Sequence, residues 1–182
     1  MEQPSRIGRI KEVKKETKFM PRIGKLISLE LLAKRRGIER GSARIKLKVS
    51  VPEIGSSFRV NSVLNAGFET EVPEMLAPAR VAELLGFWPR LPEETVVKEF
   101  ETPVGIAKMY YLADAIQVQA ITEDRISKNI KCALVISELE REVLLSDMAI
   151  SELEIVIEDA GRGLWRFKEE TKIRNSVEPQ YW

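Results

Sequence analysis

Val63-Leu64-Asn65-Ala66-Gly67-Phe68 is the stretch on which the fold reading turns. Two apolar residues close a strand. A turn of small residues follows, and an aromatic restores the apolar character. Gly67 suits the tight backbone such a turn needs. Asn65 is read as a turn residue that tolerates unusual φ/ψ. Working outward, residues 45–51 alternate strictly between apolar and polar, the mark of a strand with one buried face. A turn over residues 52–57 leads into a strand over 58–64 that ends at Asn65. Downstream, residues 78–85 read as a helix, with Pro78 in its first turn and Gly86 just past its end. Strands are expected over 96–101 and 107–121, around Thr102-Pro103-Val104-Gly105. Further strands are expected over 130–136 and Val143–Leu145. Asp147 is placed to cap a helix over 148–153. Residues 154–157 and Leu164–Phe167 flank Asp159-Ala160-Gly161-Arg162-Gly163 and read as a hairpin. The fold class is therefore mostly β, a closed or folded sheet with two short helices.

Composition narrows the chemistry. The chain has 182 residues, no histidine and one cysteine. Ser-His and Cys-His nucleophiles are excluded, as are histidine zinc sites. Cys132 lies in the apolar run 130–136 and is expected to be a buried thiol. No cofactor and no metal are expected. No apolar run is long enough to cross a bilayer, and the polar, basic N-terminus lacks the apolar stretch of a signal peptide. A cytoplasmic location is expected. Charged residues make up 31% of the chain while amides are scarce, a balance found in proteins of thermophiles.

Charge is unevenly placed. Residues 1–50 carry 15 Lys/Arg against 5 Asp/Glu, a balance of +10, so the remainder carries 14 against 23, a balance of −9. A basic arm on an acidic body calls for a partner. Within the arm, Ser28 is read as the cap of a short helix that Gly37 ends. Three parts are expected: a basic arm over 1–42, a β-domain over 43–168 that folds without the arm, and a tail over 169–182.

The order of elements resembles the retropepsin-like aspartic peptidases, in their archaeal-type single-domain form. Val63 to Phe68 stands where that family carries hydrophobic-Asp-Thr-Gly. Val72-Pro73, and Val81-Ala82-Glu83-Leu84-Leu85-Gly86, resemble the step and helix that follow. Thr102 to Gly105 resembles the flap tip, Val143-Leu144-Leu145-Ser146-Asp147 the second hydrophobic-Gly step, and the last two strands the closing hairpin. The resemblance implies an acid-protease β-barrel and a pair of aspartates, one from each subunit, that share a proton. This sequence departs from it at the chemistry. Asn65, Ala66 and Gly67 replace Asp-Thr-Gly, and Ser146 replaces the later glycine. An amide has no usable proton equilibrium, so no catalytic residue is assigned and the protein is not expected to be an enzyme.

Asp124 and Asp159 read as turn residues. Trp165 and Phe167 read as core or dimer contacts. Lys14, Lys15, Lys18, Arg22, Lys25, Lys34, Arg35 and Arg36 read as phosphate contacts. The expected function is that of a non-catalytic binding or structural component whose arm contacts RNA, in a ribosome or another ribonucleoprotein. A protein neighbour would meet the acidic body, a homodimer is a further expectation, and no membrane partner is expected. The alternative is an aspartic-peptidase-like hydrolase or peptide binder that uses the cleft near Asn65.

Overall fold

The computed structural model describes Lys18–Phe19 and residues 42–102 and 105–182. The short strand β1 (Lys18–Phe19) is followed by β2 (Arg44–Val51) and β3 (Ser56–Leu64). Next come β4 (Glu74–Pro78) and helix α1 (Ala79–Leu84). Then β5 (Val96–Thr102) and the long β6 (Gly105–Ile121) form a hairpin. β7 (Ile130–Ser137), β8 (Val143–Leu145) and helix α2 (Asp147–Glu152) follow. β9 (Ile155–Asp159), β10 (Leu164–Phe167) and β11 (Arg174–Asn175) close the chain. The protein is mostly β with two short helices among the described residues.

Six strands close into a barrel in the order β6-β2-β3-β8-β4-β7, with β7 returning to β6. Closure removes free edges from that part of the sheet. β6 can serve both neighbours because it is long. Residues 117–121 pair with β2, while residues 110–112 and 116–118 pair with β7. The register shifts between Leu112 and Ile116, where Asp114 takes a φ of 49°. Three residues of β6, 113–115, there stand opposite one of β7, and the two extra residues bend the strand, as a bulge does in barrels.

Two features of the barrel explain the apolar runs in the sequence. β3 pairs parallel with β8, and β4 pairs parallel with β7 while running antiparallel to β8. These pairings interleave strands far apart in the chain. β4 and β8, nearly all of β7 and the last three residues of β3 are buried on both faces, so those stretches are buried without alternation. Met75, Ala77, Cys132, Leu134, Ile136, Val143 and Leu145 face the main core. Val63, Leu76, Val135 and Leu144, one from each strand, face a second cluster closed by Phe68, Phe100 and Met109. Burial pushes the Cys132 thiol up to about 12, with the charges of Glu74 and Asp114 adding to the shift. That thiol is inert packing, as expected of it.

The structure departs from the sequence expectation at several places. β4 was not expected: Glu74–Pro78 is a buried strand between the glycine turn and α1. The cap of α2 is Ser146, not Asp147: its hydroxyl accepts from the Ala149 amide at 3.2 Å. Asp147 instead opens the helix. Both residue types make good caps, and the backbone places the serine one step earlier. Trp165 and Phe167 are core residues, 3% and 0% exposed.

The segment after β10 crosses the body and is bonded to it along its length. The Val177 amide donates to the Arg44 carbonyl at 3.1 Å, and the Trp182 amide to the Arg141 carbonyl at 2.9 Å. The Asn61 amide donates to Gln180 Oε1 at 2.8 Å. Ser176 is the hub: its hydroxyl accepts from the Arg44 amide at 2.9 Å and donates toward the carbonyls of Ser42 and Gly163. Arg44, buried at the start of β2, forms a bidentate pair with Glu142 at 2.8 and 3.0 Å. Gly163 holds a φ of +65°, and a Cβ there would run into the Ser176 hydroxyl. Gly163→Ala therefore meets both backbone strain and a clash, and should cost about 2–4 kcal/mol. Urea unfolding of the full chain checks the figure.

An ion cluster anchors the same segment. Arg174 reaches Asp124 at 3.0 Å and Glu170 at 2.6 Å, and Arg125 reaches Glu170 at 2.6 Å. The two guanidinium groups lie 4.4 and 4.9 Å from the Phe167 ring centre, where the ring quadrupole favours them. Asp124 thus sits in the turn expected of it and also clamps the C-terminal segment. The hydrogen bond from Lys172, together with those from Thr122 and Arg174, holds the Asp124 carboxyl far below the usual range. Arg125 and then Arg174 lower Glu170. Groups whose folded pKa is depressed stabilise the fold above their unfolded values, about 3.9 and 4.3, and lose that contribution as pH falls through the lowered ones. Asp124→Asn should therefore lower the melting temperature at pH 7, and the gap to the wild type should narrow as pH falls toward 2. A gap that stays constant with pH would exclude the ionic contribution.

Candidate functional site

The turn that follows β3 is built from backbone hydrogen bonds outward. The Leu64 amide donates to the Ala43 carbonyl at 2.8 Å, which fixes the end of β3. The Asn65 amide donates to the Leu145 carbonyl at 3.1 Å, extending the parallel pairing of β3 with β8 by one residue. The Phe68 amide then closes a turn onto the Asn65 carbonyl at 2.9 Å. Asn65 Oδ1 accepts from the Gly67 amide at 3.2 Å. The carboxamide oxygen is thus taken up in shaping its own turn, the behaviour that makes Asn common at such positions. Asn65 and Gly67 are half-buried, Ala66 is exposed, and Phe68 is inserted in the second apolar cluster.

The step after β8 packs on this turn. The Asp147 amide donates to the Phe68 carbonyl at 3.0 Å. Asp147 Oδ1 accepts from the amides of Thr70 and Met148 at 2.9 and 2.7 Å. It also receives the Thr70 hydroxyl at 3.4 Å. Ser146 is fully buried, and its hydroxyl accepts from the Glu74 amide at 3.0 Å as well as from Ala149. Its own amide donates to the Glu74 carbonyl at 3.1 Å. Ser146 and Asp147 therefore stitch β4, β8, α2 and the Asn65 turn together. Sequence reasoning singled out both residues but gave the cap to the wrong one.

The chemistry this arrangement supports is limited. Asn65 offers a neutral amide, Ala66 a methyl group. One oxygen of the Asp147 carboxylate, Oδ1, receives donors from the chain itself. The apolar face beside the turn is closed: Val63, Leu76, Val135 and Leu144 are between 0% and 7% exposed. Among the described residues no group of three or more Asp, Glu or Cys is placed to hold a metal ion, and no helix is long and apolar enough to cross a membrane.

The eight cations expected to meet phosphates are not brought together by any described contact. Lys14, Lys15, Arg22, Lys25, Lys34, Arg35 and Arg36 lie outside the described residues, as do the helix expected after Ser28 and the flap residues Pro103 and Val104. Lys18 is described through its backbone, in β1.

No protein-family model and no curated protein matches the chain.

Ser146→Ala tests the junction. It would leave two buried amides without an acceptor, at about 1–3 kcal/mol for an orphaned donor and about 1 kcal/mol for a lost cap. A loss of about 2–4 kcal/mol in urea unfolding is expected. A change under about 0.5 kcal/mol, the level of an ordinary surface substitution, would mean that the junction relaxes without the hydroxyl.

Proposed function

We propose that this protein is a non-catalytic relative of the retropepsin-like peptidases, a binding or structural component whose basic arm contacts RNA. The observation that carries the non-catalytic half is the Asn65 turn. A peptidase of that type needs a carboxylate that shares a proton with a second one. Here an amide oxygen is tied to the Gly67 amide, and the neighbouring Asp147 carboxylate holds the Thr70 and Met148 amides. Ser146, at the position of the family's later glycine, carries a hydroxyl that the local structure uses twice. The retropepsin-like half draws support from topology. The strand before Asn65 and the strand before Ser146 lie side by side and parallel, with β4 interleaved.

The RNA half draws support from charge. Excess positive charge in residues 1–50 faces an excess negative charge in the rest. Cations along an arm neutralise phosphates and release counterions, which gives affinity that falls with salt and depends little on sequence. An acidic body repels nucleic acid and leaves the arm to make the contact.

Two measurements on the full chain test this. Protein that retains Asn65 should cleave no peptide between pH 3 and pH 7, and Asn65→Asp alone should restore little, because Ala66 and Ser146 also differ from the family pattern. Robust cleavage would overturn the first half. Structured RNA should bind with a steep salt dependence, a slope of roughly −0.9 per phosphate engaged. Replacing Lys34, Arg35 and Arg36 together by alanine should reduce both affinity and slope for all sequences alike. Binding that ignores salt, or none at all, would overturn the second half.

A further inference from the structure

The barrel has no open edge, but the hairpin that leaves it does. Within the body β5 is bonded on one side only, to β6, in register from Val96 opposite Tyr111 to Thr102 opposite Gly105. In an antiparallel pair alternate amides point away from the partner. The outer row of β5 is thus an acceptor for another strand, the kind of edge that proteins cover. In this structure the row carries β1, parallel, with Lys18 opposite Phe100 and Phe19 opposite Glu101. β5 is also well held from beneath: Phe100 is 1% exposed, in the cluster that contains Phe68 and Val63 beside the Asn65 turn. A rigid, one-sided strand fixes the register of whatever adds to it.

Charge favours the same match. Glu93, Glu94, Glu99 and Glu101 precede or lie in β5, with Lys98 the cation among them. Lys98 stacks on the Tyr111 ring, 3.3 Å from its centre. The segment that supplies β1 carries Lys14, Lys15 and Lys18.

We propose that the outer edge of β5 is a strand-acceptor site for an extended basic–apolar peptide, and that its resident is this chain's own segment at Lys18–Phe19. The site takes such a peptide by backbone pairing in parallel register. A peptide from elsewhere enters only when the resident leaves. The inference stands apart from the RNA reading, because it concerns backbone groups and needs no nucleic acid.

Residue-resolved amide exchange on the full chain tests it. Lys18→Pro with Phe19→Pro removes both donors of β1 and should release it. The outward amides of β5 should then exchange about tenfold faster or more, while its β6-directed amides and the barrel keep their protection. A synthetic peptide of residues 14–23 added to the double variant should restore the outward row, and a scrambled peptide of equal charge should not. The wild-type protection should be independent of protein concentration. Four results would overturn the proposal. The outward row fails to respond, or the barrel loses protection along with it. The scrambled peptide works as well as the native one. The wild-type protection falls on dilution, which would make a second copy the donor.

Discussion

A strand buried on both faces has nowhere to put an unpaired amide or carbonyl. β8 is three residues long, and β4 is five residues long with every residue buried. Neither alternates, and neither can borrow water. Their polar groups have to be met by neighbouring strands along their length and by side chains at their ends. Ser146 and Asn65 supply the end pieces. The Ser146 hydroxyl takes the first amide of β4, and the Asn65 amide takes the last carbonyl of β8. The glycine turn and the step before α2 are therefore the plugs of a doubly buried sheet.

That constraint sets the rest of the architecture. A sheet with two apolar faces needs two covers. The main core covers one. The hairpin of β5 and β6 covers the other, through Phe100 and Met109. β6 lies over the sheet at its start and pairs with β2 at its end, so it has to bend, and the irregularity around Asp114 is where it does so. The hairpin then leaves β5 with an outer edge. Closing the barrel moves the edge problem to the hairpin and does not abolish it.

Much of this was legible in the sequence, and the parts that were not share a cause. Val143–Leu145 and Leu164–Phe167 were readable to the residue because each is bounded by charged residues on one side and turn-forming residues on the other. β4 was not, because Glu74-Met75-Leu76-Ala77-Pro78 runs straight into a helix and pairs only with distant strands. A proline ends it where an edge or a helix start would also be read. The binding of residues 174–182 to the body leaves no periodic trace. Its contacts run through Ser176, Val177 and Gln180, one backbone or side-chain bond at a time. The Ser146-Asp147 ambiguity is of a third kind: two residues of equal capping ability stand side by side, and only the geometry of β8 decides between them.

The turn itself shows why an amide is stable at position 65. Two carboxylates in close apposition repel unless they share a proton, whereas an amide carries no charge to balance. Asn65 supplies the oxygen that accepts from Gly67 and carries no charge. The turn is then neutral over the whole pH range and needs no second copy to balance it. The Asn65 turn is thereby a structural joint of the barrel, its side-chain oxygen and its backbone amide both used within the chain.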